Sequence, residues 1–130
     1  MILLDNISLF RGYAEEFFPQ GYVLIDGAQI LDAGAESNKP CFAENVKIVN
    51  CHGAFVMPGM VESHAHLSYI NNGPLELDKS PVEEVMIKTI ANARTMLGCG
   101  FTSAISFGSV HRIDAFLKQG ILSGDVIGPR

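Results

Sequence analysis

No cluster of lysine or arginine occurs in this chain. Its nine basic residues stand scattered among fourteen acids, and the formal charge is -5. That balance argues against a phosphate-backbone partner, so nucleic acid is not an expected ligand. No apolar run approaches the roughly 18–20 residues that a bilayer-crossing helix needs, and no membrane span is expected. The opening residues, MILLDNISLFRG, lack a basic n-region and meet Asp5 early, so they do not read as a secretory leader. Cys41, Cys51 and Cys99 form neither a CxxC pair nor an even set. Reduced, buried thiols in a cytoplasmic protein are the plain reading. Also absent are GxGxxG, Walker and nucleophile-elbow patterns, and any internal repeat of 20–50 residues.

What is present is apolar. With 48% hydrophobic and 18% charged residues over 130 positions, the composition suits one well-buried domain of ordinary size. The first 57 residues read as short strands and tight turns. ISLF (7–10) is one strand. YVLIDGAQILDAG offers two apolar runs around Asp26-Gly27, a dipeptide that favours a two-residue hairpin between Tyr22 and Ala33. VKIV (46–49) and AFVM (54–57) read as two more strands separated by a turn at His52-Gly53. The sum is a small antiparallel β portion.

Pro58 changes the regime, because proline cannot donate to a sheet ladder. Pro58-Gly59 is expected to end one sheet and start another, with MVESHAHL as a short strand. Ser80-Pro81-Val82-Glu83 then reads as a helix start. Val82, Val85, Met86, Ile90, Ala93 and Leu97 follow on one face, and Gly98 and Gly100 stop the helix. FTSAISF (101–107) is uncharged, as a strand buried on both faces would be. A second helix spans Val110 to Gln119, with Ile113, Phe116 and Leu117 inward and Gly120 at its end. VIGPR approaches a further strand. Strand, helix, strand, helix is the grammar of a parallel α/β sheet.

Two of the four histidines stand one residue apart, at the end of the strand that Pro58-Gly59 begins. Residues i and i+2 of a strand share a face, so His64 and His66 project side by side. Two imidazole nitrogens can then reach one ion at the roughly 2.0–2.1 Å that zinc prefers. In parallel α/β architectures such residues gather at the carboxyl ends of strands. A loop containing Asn71, Asn72 and Gly73 follows. His52 is read as tolerating an unusual backbone angle at its turn, and His111 as solvated surface. Glu83-Glu84 opposes a helix dipole rather than forming a catalytic pair.

VMPGMVESHAHL resembles the signature of the amidohydrolase superfamily: apolar strand, Pro-Gly, apolar pair, acid, His-x-His. NARTMLGCGFTSAISFG (92–108) and AFLKQGILSGDVIGPR (115–130) are similar to helix and strand segments of an imidazolonepropionase-like and prolidase-like subgroup. The resemblance implies an α/β fold: the first two βα units of a (β/α)8 TIM-type barrel (58–130), preceded by a small antiparallel β-sandwich portion (1–57). It implies a metal-dependent hydrolase of carbon–nitrogen bonds, whether a dipeptide amide, another amide or a cyclic amide. His64 and His66 would be ligands of Zn²⁺ or another divalent transition metal. A small-molecule substrate is implied, and the full-length enzyme is open to homo-oligomerisation. Two positions depart from the pattern: Ile105-Ser106 where the subgroup often has Arg-Asp, and Glu62 where aspartate is usual.

A complete barrel takes about 200–250 residues. The expectation is therefore that this chain is the N-terminal part of a longer enzyme, inactive alone, whose catalytic base and remaining ligands lie elsewhere. The alternative is a non-catalytic chain, either a truncated remnant or half of a split barrel completed by a partner.

Overall fold

The computed structural model describes residues 1–13, 15–42, 45–69 and 79–130. It has six strands and two α-helices among the described residues, a mixed α/β chain in two compact units, Met1–Pro58 and Gly59–Arg130.

The first unit holds β1 (Ile2–Phe10), β2 (Phe17–Asp26), β3 (Gln29–Ala35) and β4 (Lys47–Val56) in one sheet of order β3-β2-β1-β4. The hairpin between β2 and β3 is present. Its two loop residues are Gly27 and Ala28, since Asp26 already pairs with Gln29. Gly27 takes the left-handed backbone (φ 55°) that a side chain would resist.

Two expectations for this unit are corrected. The sheet is mixed, because β4 runs parallel to β1. β4 begins beside the start of β1, where the Lys47 N–H donates to the Met1 carbonyl at 3.2 Å, so the two strands travel together. His52-Gly53 is also no turn between strands. It lies inside β4, where pairing jumps from Asp5↔Asn50 to Ile7↔Ala54. The extra residues form a bulge. His52 does take an unusual backbone angle there (φ 53°), and Asn50 Oδ1 receives its N–H at 2.9 Å.

Alternation along β2 places Tyr22 and Leu24 on one face and Val23 on the other. Leu3, Tyr22 and Leu24 form one buried cluster, with Phe42 and Val46 against it. Ile7, Leu9 and Val23 form a second. The Tyr22 hydroxyl donates to Asp32 Oδ2 at 2.6 Å. That bond, then burial, pushes the phenol up to about 12. Of the cysteines only Cys51 is half-buried; Cys41 and Cys99 are exposed, against the expectation of buried thiols.

In the second unit, β5 (Met60–Ala65) pairs parallel with β6 (Phe101–Ser106), and helix α1 (Val82–Gly98) joins them in sequence. A short 3-10 turn (Val110–Arg112) leads into helix α2 (Ile113–Ser123). Gly59 is explained by close approach. A Cβ there would strike the Thr102 side chain, at the point where β6 carries an extra residue opposite Met60 and Val61.

The helices bury part of the expected faces, Val85 and Ala93 on α1 and Ile113 and Leu117 on α2, and depart from them elsewhere. α1 buries Val85, Thr89 and Ala93, while Val82 is 42% exposed. Thr89 is tolerated because its hydroxyl donates back to the Val85 carbonyl at 2.7 Å. The helix starts after Pro81 without a side-chain cap, so Ser80 does not cap it. α2 buries Ile113 and Leu117 but leaves Phe116 61% exposed, and it ends at Gly124 (φ 84°) rather than Gly120. β6 is not buried on both faces: Ile105 is 53% exposed. Its outer edge is nonetheless occupied at one point. Arg130 N–H donates to Thr102 O at 2.9 Å, and Ala104 N–H donates to Arg130 O at 2.7 Å, the pattern of a parallel bridge.

Candidate metal centre

His64 and His66 meet at the carboxyl end of β5, with their Nε2 atoms 3.3 Å apart. Simple alternation does not account for this alone. Between Glu62↔Ala104 and Ala65↔Ser106, β5 advances three residues while β6 advances two. His64 sits in that bulge, which turns its N–H out of the ladder. Glu62 Oε1 receives this N–H at 3.0 Å. The carboxylate at position 62 thus serves the backbone beneath His64.

Each imidazole is held on one face by an aromatic ring. His64 stacks on Phe107 at 4.1 Å and 8°, and His66 on Tyr69 at 4.6 Å and 11°. The His66 Nδ1 lies 3.0 Å from the Gly108 carbonyl. A carbonyl only accepts, so Nδ1 carries the proton and Nε2 of the neutral ring keeps its lone pair. Gly108 is fixed in turn: its N–H donates to Ser106 Oγ at 3.3 Å, and Ser106 Oγ donates to Asp114 Oδ2 at 2.9 Å. Ser109 Oγ donates to Asp114 Oδ1 at 2.6 Å and receives the Asp114 N–H at 3.0 Å. The Ser109 bond, then Ser106 and the Ala115 N–H, holds the Asp114 carboxyl below the usual range against an opposing effect of burial.

The donor set suits a divalent cation as half a site. Two metal–nitrogen bonds of roughly 2.0–2.1 Å across the Nε2 pair would subtend about 107°, close to tetrahedral. No third histidine, cysteine or carboxylate joins them among the described residues. An open groove of about 450 Å³ beside the pair is lined by Glu62, Tyr69, Asn92 and Cys99. A larger cleft of about 600 Å³ lies between α2 and the outer edge of β6, lined mainly by apolar side chains such as Ile105, Leu117 and Ile121. It contains neither histidine.

The other sequence candidates do not converge here. His52 belongs to the first unit, and His111 is exposed in the 3-10 turn with φ 55°. Asn71, Asn72 and Gly73 lie outside the described residues. Phe107, Tyr69 and Asn92 were not legible as site residues. Asn92 offered one signal, an asparagine inside a helix, where that residue is a poor helix former and wants a partner.

No protein-family model matches the chain. Curated relatives do. An imidazolonepropionase from Bradyrhizobium diazoefficiens is 26% identical over 116 residues, 82% of this chain and 28% of that protein. An adenine deaminase from Shewanella halifaxensis is 27% identical over 115 residues, 88% of this chain and 18% of that protein. The crystal structure of an amidohydrolase superposes with a TM-score of 0.83 at 26% identity, over 99% of this chain and 30% of that one. The chain thus spans less than a third of the proteins it matches. By sequence and by fold, it resembles the N-terminal part of amidohydrolase-superfamily enzymes, whose named members here are hydrolases and deaminases.

Proposed function

We propose that this chain is the N-terminal part of a metal-dependent hydrolase of carbon–nitrogen bonds, and that His64 and His66 are its first two metal ligands. The observation that carries the reading is the 3.3 Å approach of two Nε2 atoms, one of them with its tautomer fixed by Gly108. When bound, a zinc-type ion supplies Lewis-acid activation of water and of the substrate's carbonyl. The chain's own part is to hold two neutral imidazoles at the mouth of a strand, with ring planes set by Phe107 and Tyr69. Residues 58–130 would be the first two βα units of a (β/α)8 barrel, and the Arg130 bridge on β6 the first pair of its third strand. Motif resemblance favours an amide or cyclic amide substrate of imidazolonepropionase-like or prolidase-like chemistry.

The reading is tested by zinc titration of the chain against a competing chelator. Wild type is expected to bind one ion weakly, because two protein donors leave a tetrahedral site half made. His64→Ala and His66→Ala should each abolish that binding with an unchanged circular dichroism spectrum. Zinc binding that survives both substitutions would defeat the assignment.

A further inference from the structure

Asn92 joins α1 to the turn that follows His66. Its Nδ2 donates to the Leu67 carbonyl at 2.8 Å and to the Tyr69 carbonyl at 3.2 Å. The turn between is closed by the Tyr69 N–H on the His66 carbonyl at 3.0 Å. Tyr69 then returns to the site, its ring lying on the His66 imidazole. One side-chain amide therefore spends both N–H groups on the backbone that carries the ring packed against a candidate ligand.

We infer that Asn92 is a positioning residue: it fixes the His66 imidazole through the 66–69 turn and Tyr69, and so sets how well the histidine pair accepts a divalent cation. The inference rests on the metal reading above. An asparagine inside a helix gives up propensity, and here the two carbonyls it gathers offset that loss. The histidine has a second hold, its Nδ1–H on the Gly108 carbonyl, and one hydrogen bond fixes that nitrogen without fixing the tilt of the ring plane. Tyr69 holds that tilt only while its backbone stays put. Aspartate at 92 would keep the size and reverse the contact, setting a carboxylate against two carbonyl oxygens. Alanine would simply delete it.

The test compares the 130-residue chain as wild type, Asn92→Asp and Asn92→Ala, with Zn²⁺ alone as the probe. Circular dichroism reports the fold, chelator competition the zinc affinity, and a metal-free nuclear Overhauser contact the packing of the His66 and Tyr69 rings. Both variants should keep the fold, lose the ring contact and bind zinc about tenfold or more weakly, the range for outer-shell partners of a ligating histidine. Wild-type zinc affinity in folded variants would overturn the inference, whether or not the ring contact survives. Should wild type show no zinc binding that depends on His64 and His66, the functional reading fails instead. The positioning role is then decided by the ring contact alone: its loss in the variants supports it and its retention overturns it. If Asn92→Asp does not fold, Asn92→Ala decides by the same measurements. If neither folds, Asn92 is a structural residue and the inference is overturned.

Discussion

The two units put their apolar side chains in different places. The buried apolar side chains of Met1–Pro58 lie in its own sheet, where Leu3 and Ile7 are each 1% exposed and β2 is covered on both faces from Gly21 to Leu24. In Gly59–Arg130 the fully buried apolar residues are mostly on the helices, at Val85, Ala93, Ile113 and Leu117. β6 contributes none, and Phe107 just beyond it is 58% exposed. The first unit draws its core from one four-stranded sheet, although Ile30, Ile48 and Phe55 of that sheet stay more than half exposed, whereas the second draws its core mainly from its helices. The histidine pair belongs to the second. A strand that carries chemistry at its tip need not bring its own cover, and in the proposed barrel that cover comes from further strands.

The sharpest way to break this contrast is through the first core. Leu3→Ala should cost about 2–5 kcal/mol, the range for emptying a packed aliphatic site. Urea unfolding that shifts by less than about 1 kcal/mol would show the core to be loosely packed. Next is the point where the second sheet is tightest. Gly59→Ala forces a methyl into the Thr102 side chain and should cost about 1–3 kcal/mol, as overpacking does. Thr102→Gly in the same background removes all the crowding atoms, Cβ included, and should recover that part of the loss. A double mutant no more stable than the sum of the two single changes would mean the crowding lies elsewhere.

A third comparison uses pH. Tyr22 in the first unit has a raised folded value of about 12. Its contribution is therefore complete below the unfolded value near 10 and fades as pH rises through about 12. Asp114 in the second unit has a lowered value. Its contribution is complete above the unfolded value near 4 and is lost as pH falls through the folded one. Tyr22→Phe should therefore flatten the alkaline limb of a melting-temperature profile, and Asp114→Asn the acid limb. Exchanged effects would refute both assignments. The smallest effect is expected at Ile105→Ser, within about 0.5 kcal/mol, because the side chain is more than half open. A cost above about 1.5 kcal/mol would show that β6 is covered after all.

How much of this could be read from the residues depends on the range of the interaction involved. The hairpin between Tyr22 and Ala33 was legible from its glycine, although the two-residue loop is Gly27-Ala28 and Asp26 stays paired in the strand. The parallel pairing of β1 with β4 was not, since nothing local states which distant strand lies alongside. His52-Gly53 misled for a physical reason: turns and bulges both use left-handed backbone, and only the partner strand tells them apart. Thr89 was passed over as polar, although the 85-89-93 spacing marked its face and its hydroxyl is satisfied within the helix. Phe116 shows the reverse error, an aromatic assigned inward by type. At the site, His64-x-His66 announced two adjacent nitrogens. The bulge, the Glu62 contact and the tautomer set by Gly108 come from residues brought together by folding, as far apart in the chain as His66 and Gly108.

The single bridge that Arg130 makes to β6 has a consequence in time rather than in energy. The Ala104 N–H points away from β5 and would, without the Arg130 carbonyl, trade its hydrogen with solvent as fast as an amide on a bare sheet edge. Its exchange rate in heavy water is therefore a clock for how often the outer edge of this sheet stands vacant. Neighbouring amides that point toward β5 keep a separate time, set by the pairing of the two strands themselves.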